Sequence, residues 1–418
     1  MKIQIETLGC KVNSVEAESI AELFKSRGHQ IVKSNAEVVI INTCCVTGEA
    51  ESKSRQAIRK ALKTGAEVAV MGCYGQLAPE SLKEIGVLVV IGTAERHLIV
   101  DKIEEAISKS SKTNISNKFD LPSEFEELPH VPSKTRAFVK IQDGCNGQCT
   151  YCIIPKVRGK SRSRNLESIK RECKALDSYK EIVLTGIHLG MYGGDINLKL
   201  TDAIKMVLEN TNARIRLSSI EPNEVTEDLI SMLRDEPRIC KHLHLPLQSG
   251  NDAVLEAMRR PYNTKIFRRI VTELKSEIPN ITLGTDIILG FPTETAEMFD
   301  ETFNLLQELP ISHFHVFGYS PRQGTIAAEM KQVSPKEKKL RVNKILNLAA
   351  DKNLLYRQSL IGNDAEILTE RQKGDYIEGH SGEYIKVYMA AEDKLPLNEI
   401  VKVTLIDTFK DGMLGTII

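Results

Sequence analysis

Short apolar segments alternate with amphipathic ones along the first hundred residues. The strand-like segments are KIQIETLG, EVVIINT and EVAVMG, and stretches with helical spacing, such as residues 14–26, separate them. Alternation of this kind is typical of strands and helices that build an open parallel sheet. We therefore predict an N-terminal α/β domain over residues 1–112.

A second series of strand-like segments begins after a polar stretch. Residues 113–133 are weakly periodic and contain three prolines, which predicts a linker. Six segments with helical stretches between them then follow: AFVKIQ, EIVLTG, RIRLSSI, HLHLPLQ, ITLGTDIILG and HFHVFGYS. They predict an incomplete (β/α)6 barrel over residues 134–355, with functional groups at the carboxyl ends of the strands.

The end of the chain has a different periodicity. A basic helical stretch at residues 334–358 is followed by segments that alternate with period two, namely DAEILTE, EYIKVYM and EIVKVTLI. This pattern predicts a small all-β barrel over residues 356–418. The expected fold class is therefore α/β with an all-β C-terminal domain.

Composition and charge limit the kinds of partner that this protein can bind. The 418 residues suggest two to four domains, and 56 basic and 56 acidic residues give no net charge, so a polyanion must meet a local basic patch. No stretch approaches the roughly 20 apolar residues that span a bilayer, and the first residues lack the apolar core of a secretory signal. We expect a cytoplasmic protein without a membrane partner.

Three cysteines are closely spaced in the segment DGCNGQCTYCIIP, at positions Cys145, Cys149 and Cys152. Three thiolates can hold three irons of a four-iron four-sulfur cluster and leave one iron open. An open iron can bind the amino and carboxylate groups of S-adenosylmethionine. The alternatives are packed thiols or a zinc site, although this loop offers no fourth ligand for zinc.

Three further cysteines, Cys10, Cys44 and Cys73, each follow a predicted strand of the N-terminal domain. Because the carboxyl ends of parallel strands meet at one edge of a sheet, we expect these thiols to be neighbours and to hold a second cluster. Three unrelated buried thiols are the alternative. Cys45 adjoins Cys44, and only one of two neighbours in a strand points to a given side.

The Cys-x3-Cys-x2-Cys loop resembles that of the radical S-adenosylmethionine superfamily. Over essentially the whole chain, segments such as TLGCKVN, INTC, GCYGQ, CNGQCTYCIIPKVRGKSRSR, HLPLQSGND, MRRPYN and FGYSPRQGT resemble the methylthiotransferases. TLGCKVN and YSPRQGT are most similar to the branch that modifies N6-threonylcarbamoyladenosine at position 37 of tRNA. The resemblance favours Cys44 over Cys45 as the ligand and implies that the last domain is an RNA-binding TRAM domain.

The resemblance also implies a reaction with two clusters. The cluster on Cys10, Cys44 and Cys73 would deliver the sulfur that becomes methylated, and the other would cleave S-adenosylmethionine to a 5′-deoxyadenosyl radical. The methylthio group would be installed at C2 of the adenine. The implied partners are the anticodon stem-loop of tRNA and an electron-donor protein, and the sulfur donor is unassigned.

The same sequence motifs are compatible with other functions. The same chemistry has two other targets within the family, isopentenyladenosine in tRNA and an aspartate of a ribosomal protein. A third alternative is an iron–sulfur protein that binds RNA without catalysis.

Several strand ends supply candidate contacts for S-adenosylmethionine. Tyr151 precedes the third cysteine as in the family, and the other candidates are Thr185, Gly186, Ser219, Glu221 and Gln248. Each of these strand-end residues can equally serve a turn or a strand cap. Asp286 and Arg322, on later strand ends, are candidates for substrate contact or for structural ion pairs. Four histidines with period-two spacing, His242, His244, His313 and His315, are predicted to be packed and hydrogen-bonded rather than metal ligands.

A basic run follows the cluster loop. Its members Arg158, Lys160, Arg162 and Arg164 are predicted to contact RNA phosphates, with a solvated charged face as the alternative. In the last domain, Tyr376, His380, Tyr384 and Lys386 are candidates for stacking on unpaired bases, with core packing equally open.

Overall fold

The computed structural model describes residues 1–109, the backbone of residues 114–115, and residues 119–391 and 395–418. The described residues confirm the predicted fold class: a parallel N-terminal sheet, an incomplete barrel of parallel strands and a closed C-terminal β-barrel. The boundary predicted between residues 112 and 113 lies outside the described residues. Every described helix is too short or too polar to cross a membrane.

The N-terminal domain is one parallel sheet with the strand order β2-β1-β3-β4-β5-β6. Its elements are β1 (Lys2–Thr7), α1 (Lys11–Ser26), β2 (Gln30–Ile31), β3 (Val38–Thr43), α2 (Gly48–Leu62), β4 (Glu67–Gly72), α3 (Cys73–Leu77), α4 (Pro79–Glu84), β5 (Val89–Val90), α5 (Ile99–Ser108) and β6 (Asn114–Ile115). Strands β1, β3 and β4 are direct neighbours, so the loops that follow them share one edge of the sheet.

The central domain follows the predicted order of strands and helices. Its elements are β7 (Ala137–Lys140), β8 (Gln142–Asp143), α6 (Ile154–Arg158), β9 (Arg162–Ser163), α7 (Leu166–Ala175), β10 (Glu181–Thr185), α8 (Leu200–Asn210), β11 (Arg214–Leu217), α9 (Glu227–Asp235), β12 (His242–His244), α10 (Asp252–Ala257), α11 (Thr264–Glu277), β13 (Thr282–Leu289), α12 (Ala296–Glu308), β14 (His313–Gly318) and α13 (Pro335–Gln358). The barrel strands form two parallel sheets, β11-β10-β7 and β12-β13-β14, which a bridge between Ile215 and Ile239 connects.

The C-terminal barrel contains β15 (Asp364–Lys373), β16 (Tyr376–Ser381), β17 (Lys386–Ala390), β18 (Ile400–Phe409) and β19 (Gly412–Ile417). Its strands close in the order β15-β16-β17-β19-β18. Helix α13 runs through the boundary predicted at residue 355, and the barrel itself begins at Asp364.

Alternate residues of the central strands have opposite characters. Val139, Leu184, Leu217, Leu243 and Leu283 belong to the apolar core that the strands share with the surrounding helices. Because neighbours along a strand point to opposite faces, the intervening side chains face the barrel interior, and they include Lys140, Glu181, Arg216, His244 and Asp286. The interior of this barrel therefore contains many polar and charged side chains, next to a small apolar cluster of Phe138 and Val183 with Val15.

The C-terminal barrel docks on this polar interior through the turn between β16 and β17. Arg216 donates to the carbonyls of Ser381 and Gly382 at 2.8 and 3.0 Å, and Glu181 pairs with Arg216 at 2.7 Å. The ring of Tyr384, in the same turn, lies 4.9 Å from that of His242. Tyr384 is therefore half-buried against the central domain, which favours packing over the predicted contact with RNA bases.

The described part of the predicted linker, residues 119–133, lacks regular structure but is tied to both domains. The ring nitrogens of His130 lie 2.9 Å from Glu18 on α1 and 2.7 Å from Glu172 on α7. Burial opposes protonation, but hydrogen bonds to Glu172 and Glu18 raise the pKa of His130 to about 9. A protonated His130 thus joins the N-terminal domain to the central domain.

We predict that this junction weakens at alkaline pH. A histidine whose folded-state pKa is raised stabilises the protein fully below its unfolded pKa of roughly 6.5, and the contribution disappears as the pH rises through about 9. The His130→Gln variant should therefore melt well below the wild type at pH 6, and the gap should narrow towards pH 10. His97→Gln, at an exposed histidine paired with Glu126, is the control. A gap that is constant with pH would contradict this account.

Candidate functional site

The three N-terminal cysteines lie where the sequence predicts, at the ends of β1, β3 and β4. Cys10 caps the first turn of α1, and Cys73 is the first residue of α3. The glycine before each of them has a positive φ, +105° at Gly9 and +91° at Gly72, which residues with a side chain rarely adopt. An added Cβ on Gly72 would lie 2.7 Å from the Thr43 carbonyl oxygen. The two glycines thus turn the chain sharply at the sheet edge and bring the cysteines together.

The two adjacent cysteines have different surroundings. The Cβ and Sγ of Cys44 lie 2.7 and 3.1 Å from the place where a Cβ on Gly9 would be, so Cys44 faces Cys10. Cys45 is fully buried in an apolar cluster that also contains Cys73. A hydrogen bond with the Cys45 thiol outweighs burial and, with the Arg158 cation, lowers the pKa of Cys73 to about 6. The position of Cys44 supports its choice as the ligand, which stays a prediction.

The second set of cysteines lies in the loop after β8. Gly144, before Cys145, has a φ of +73°, and an added Cβ would lie 1.9 Å from the Lys160 carbonyl oxygen. The backbone N–H of Gly147 donates to the Cys145 sulfur at 3.2 Å. Cys145, Cys149 and Cys152 are all partly exposed, as ligands of a cluster with an open iron must be.

Two residues beside these cysteines were missed by the sequence analysis. Nδ1 of His188 lies 3.1 Å from the Cys145 sulfur, and its Nε2 lies 2.8 Å from Glu224. Arg260 donates to the Cys149 sulfur and to the Tyr151 hydroxyl, each at 3.2 Å, and forms an ion pair with Glu221. Burial opposes protonation, but Cys145 and Glu224 raise the pKa of His188 to about 10. The two residues belong to the segments LTGIHLGMYG and MRRPYN. The sequence alone does not show that these segments contact the cysteine loop, because only the fold brings them beside it.

The predicted cofactor contacts surround the same loop to different degrees. Thr185 is buried at the end of β10, and a Cβ on Gly186 would lie 2.7 Å from the Gln142 side chain. Ser219 is exposed, while its neighbour Ser218 is buried. Gln248 has a φ of +67°, and among the described residues its buried Oε1 has no hydrogen-bond partner. A buried polar atom without a partner is costly, so Gln248 fits a ligand that supplies a donor.

A buried ionic network connects the two sets of cysteines. Arg158, six residues after Cys152, donates to the Cys73 sulfur at 3.2 Å and to the carboxylates of Glu16 and Asp143 at 2.8 and 3.0 Å. Burial opposes their ionisation, but nearby cations hold the pKa of both carboxyls below the usual range, with Arg158 the leading cation at Glu16 and Lys140 at Asp143. Glu16 is on α1 behind Cys10, and Asp143 precedes Cys145. The network therefore joins the loops that carry both sets.

This network corrects the prediction for the basic run. Arg158 and Arg162 are buried, with side chains 0% and 4% exposed, so they are unavailable to RNA phosphates. Arg164 is half-buried and forms an ion pair with Glu172. Lys160 is exposed and stays a predicted RNA contact. The sequence reveals the charges of the run, but not that its arginines turn inward to meet acidic residues from α1 and β8.

Comparison with known proteins identifies the family of this chain. A model of the Radical SAM superfamily matches residues 139–306, and a model of the Uncharacterized protein family UPF0004 matches residues 2–92. A Bacillus subtilis (strain 168) protein named threonylcarbamoyladenosine tRNA methylthiotransferase is 37% identical over 97% of this chain and 93% of its own length. The chain belongs to the methylthiotransferase family.

Other relatives agree with this assignment. A Thermotoga maritima methylthiotransferase of the same name is 36% identical over 92% of this chain and 90% of its own. A Sulfurihydrogenibium tRNA-2-methylthio-N(6)-dimethylallyladenosine synthase is 36% identical over 88% of each chain. The radical S-adenosylmethionine methyltransferase TsrM of Kitasatospora setae, 13% identical with a TM-score of 0.56, shares the fold over 76% of this methylthiotransferase and 72% of its own chain.

The buried network gives a direct test of the link between the two loops. Arg158→Met removes one of the cations that pair with Glu16 and Asp143. Removal of one partner from a buried ion pair lowers the free energy of unfolding by about 3–5 kcal/mol. We expect the free energy of unfolding in urea to fall by about that amount. Lys160→Met, at an exposed position of the same loop, should change it by less than about 0.5 kcal/mol. Equal stability of the two variants would show that the network does not hold the loops.

Proposed function

We propose that this methylthiotransferase acts on C2 of N6-threonylcarbamoyladenosine in tRNA. The observation that carries the proposal is the placement of two three-cysteine sets on loops that share one buried residue, Arg158. Each set has three thiols. Among the described residues, neither set has a fourth cysteine that completes its ligands, although the Cys45 thiol lies next to Cys73. This donor set fits two four-iron four-sulfur clusters, each with one open iron.

The named relatives support the substrate. Proteins of B. subtilis, T. maritima and Aquifex aeolicus that carry the threonylcarbamoyladenosine name are 35–37% identical to this chain. Synthases named for dimethylallyladenosine are 35–36% identical, so overall identity alone separates the two substrates weakly. The segments TLGCKVN and YSPRQGT favour the threonylcarbamoyladenosine branch.

Cys145, Cys149 and Cys152 would hold the cluster, which would supply the electron needed for radical chemistry with S-adenosylmethionine. The residues of this chain hold and shield that site. Arg260 places one cation against the Cys149 sulfur, and Glu221 and Tyr151 fix its guanidinium. A hydrogen bond to a ligating sulfur is one of the factors that set the reduction potential of a cluster.

The C-terminal barrel offers a surface for RNA away from its docked turn. The ammonium group of Lys410 lies 4.9, 5.3 and 4.7 Å from the ring centres of Tyr376, Tyr388 and Phe409, and Lys386 adjoins Tyr388. A cavity of about 440 Å³ opens beside these residues. Aromatic and basic groups together are typical of surfaces that bind unpaired nucleotides. We include Tyr376 and Lys386 in the proposed tRNA contact; an electron-donor protein and a cytoplasmic location stay predictions.

The two cysteine sets should be separable by mutation. We expect Cys149→Ala to abolish formation of 5′-deoxyadenosine from S-adenosylmethionine, because two remaining thiolates would not hold the cluster. Cys10→Ala should leave part of this cleavage and stop insertion of sulfur. Anaerobic assays with reductant measure both, and Cys173→Ala, at a buried cysteine of α7, is the control. Equal loss of both activities in both cysteine variants, with folding intact, would contradict the division of labour.

The substrate is tested by mass spectrometry of tRNA nucleosides from a strain that lacks the gene. The proposal predicts that the methylthio derivative of threonylcarbamoyladenosine disappears and returns when the gene is restored. An unchanged level of this nucleoside would refute the substrate. Loss of the methylthio derivative of isopentenyladenosine would favour the alternative tRNA substrate, and absence of any 5′-deoxyadenosine formation by protein with intact clusters would favour a non-catalytic RNA-binding protein.

A further inference from the structure

The inward face of the last three barrel strands is polar over three successive levels. In register, His242 lies beside Thr282, His244 beside Gly284 and His313, and Asp286 beside His315. None of these inward positions carries a hydrocarbon side chain. The residues that alternate with them, such as Leu243, Leu283 and Ile287, pack against the helices outside. This surface of His242, His244, Asp286, His313 and His315 is called the polar wall below.

The upper level of the polar wall is a hydrogen-bonded group of three. Oδ1 of Asp286 accepts from Nε2 of His244 at 2.9 Å and from Nδ1 of His315 at 3.0 Å, and the two imidazole rings stack at 4.6 Å. A Cβ on Gly284 would lie 2.7 Å from Nδ1 of His244, so only glycine leaves room for that ring. Burial opposes ionisation, but the two histidines hold the pKa of Asp286 well below its ordinary value.

The lower part of the polar wall, formed by His242 and His313, is covered by aromatic rings. The His242 ring packs on Tyr384 of the C-terminal barrel, and the His313 ring lies 6.3 Å from Tyr356 on α13. Burial, with the Arg216 cation, holds the pKa of His242 well below its ordinary value, and burial with His244 nearby lowers that of His313 to about 4. These two histidines are therefore packing residues. The expected hydrogen bonding is incomplete, since Nδ1 of His242 has no partner among the described residues, and the expectation that neither binds a metal stays a prediction.

The upper level is open to a ligand. The side chain of His315 is 64% exposed, whereas His244 and Asp286 are 10% and 23% exposed. Nδ1 of His315 is held by Asp286, and among the described residues its Nε2 has no hydrogen-bond partner, so Nε2 can meet a ligand in the barrel. The backbone N–H of Gln248 donates to the Asp286 carbonyl at 2.8 Å, so the open level directly adjoins a predicted contact of S-adenosylmethionine.

The chemistry of this open level separates the two tRNA substrates of the family. A threonylcarbamoyl group carries a carboxylate, a hydroxyl and an amide-like carbonyl and N–H groups, all of which need hydrogen-bond partners when buried. A dimethylallyl group is a hydrocarbon and would leave Nε2 of His315 without a hydrogen-bond partner. A site built to hydrogen-bond its substrate discriminates strongly against an analogue that lacks the polar groups.

We propose that the group of His244, Asp286 and His315 binds the threonylcarbamoyl substituent and thereby selects this nucleoside over an alkylated adenosine. His315 contacts the substituent, and Asp286 and His244 are positioning residues that fix the His315 ring. This inference rests on the proposed function and adds the residues that determine its specificity. Since the three ligand atoms lie within 4.8 Å of one another, a divalent metal ion is the competing occupant, and the experiment includes it.

The test is a binding comparison with anticodon stem-loop RNAs that differ only in the N6 substituent of one adenosine: threonylcarbamoyl, dimethylallyl or none. Anaerobically reconstituted protein is used, and dissociation constants are measured in the presence of S-adenosylmethionine. We expect the wild type to bind the threonylcarbamoyl RNA most tightly. His315→Leu should reduce this preference over the dimethylallyl RNA about tenfold or more, with affinity for the unsubstituted RNA unchanged within about twofold.

Matched variants separate contact from folding. His97→Leu, at a histidine that also pairs with a carboxylate but lies on the N-terminal domain surface, should keep the wild-type preference. His315→Asn, which retains a hydrogen-bonding side chain, should keep more of the preference than His315→Leu. If His315→Leu loses iron or melts early, Asp286→Asn, which removes the carboxylate that fixes the His315 ring, provides the comparison and should also reduce the preference.

Each outcome decides the proposal. An unchanged preference in folded His315→Leu or Asp286→Asn protein, or a wild type that modifies threonylcarbamoyl RNA without binding it preferentially, would overturn the subsite. One equivalent of a metal other than iron that is retained by the wild type and lost in His315→Leu would assign the group to that metal instead. A wild type that forms product only on dimethylallyl RNA would refute the proposed function itself, which is a distinguishable result.

Discussion

The ionic network around Arg158 is the constraint on which the rest of the structure depends. Its guanidinium is fully buried, and it reaches acidic groups behind Cys10 and before Cys145 as well as the Cys73 sulfur. A buried cation is tolerated only when it is paired and hydrogen-bonded, so the N-terminal and central domains cannot separate without exposing or orphaning these charges. Two loops that are far apart in sequence are thus held in one relative position.

The central barrel uses its polar interior in two ways. On one side, Glu181 pairs with Arg216, and Arg216 binds the turn that carries Tyr384. On the other side, Asp286 binds two histidines, of which His315 is open to a ligand. The same alternation of apolar and polar positions therefore produces a structural junction with the C-terminal barrel and a candidate specificity site beside the proposed cofactor.

Most of the architecture follows from local pattern, but several site residues do not. The strands, the barrel and both cysteine sets were predictable because periodicity defines the strands and the cysteines stand directly at their ends. Arg158 and Arg162 were assigned to RNA wrongly, since a run of basic residues does not reveal the buried carboxylates of Glu16 and Asp143. His188 and Arg260 were missed because they reach the cluster loop from separate strand ends, and only the fold brings these loops together.

The central claim is that the two cysteine sets, whose loops are joined through Arg158, hold two neighbouring clusters. Electron paramagnetic resonance of anaerobically reduced protein tests it most directly. The wild type should contain about eight irons per chain, and its spectrum should be broadened by magnetic coupling between two reduced clusters, relative to variants that lack either set. A wild-type spectrum equal to the plain sum of the two single-cluster variants, or about four irons per chain, would contradict the account.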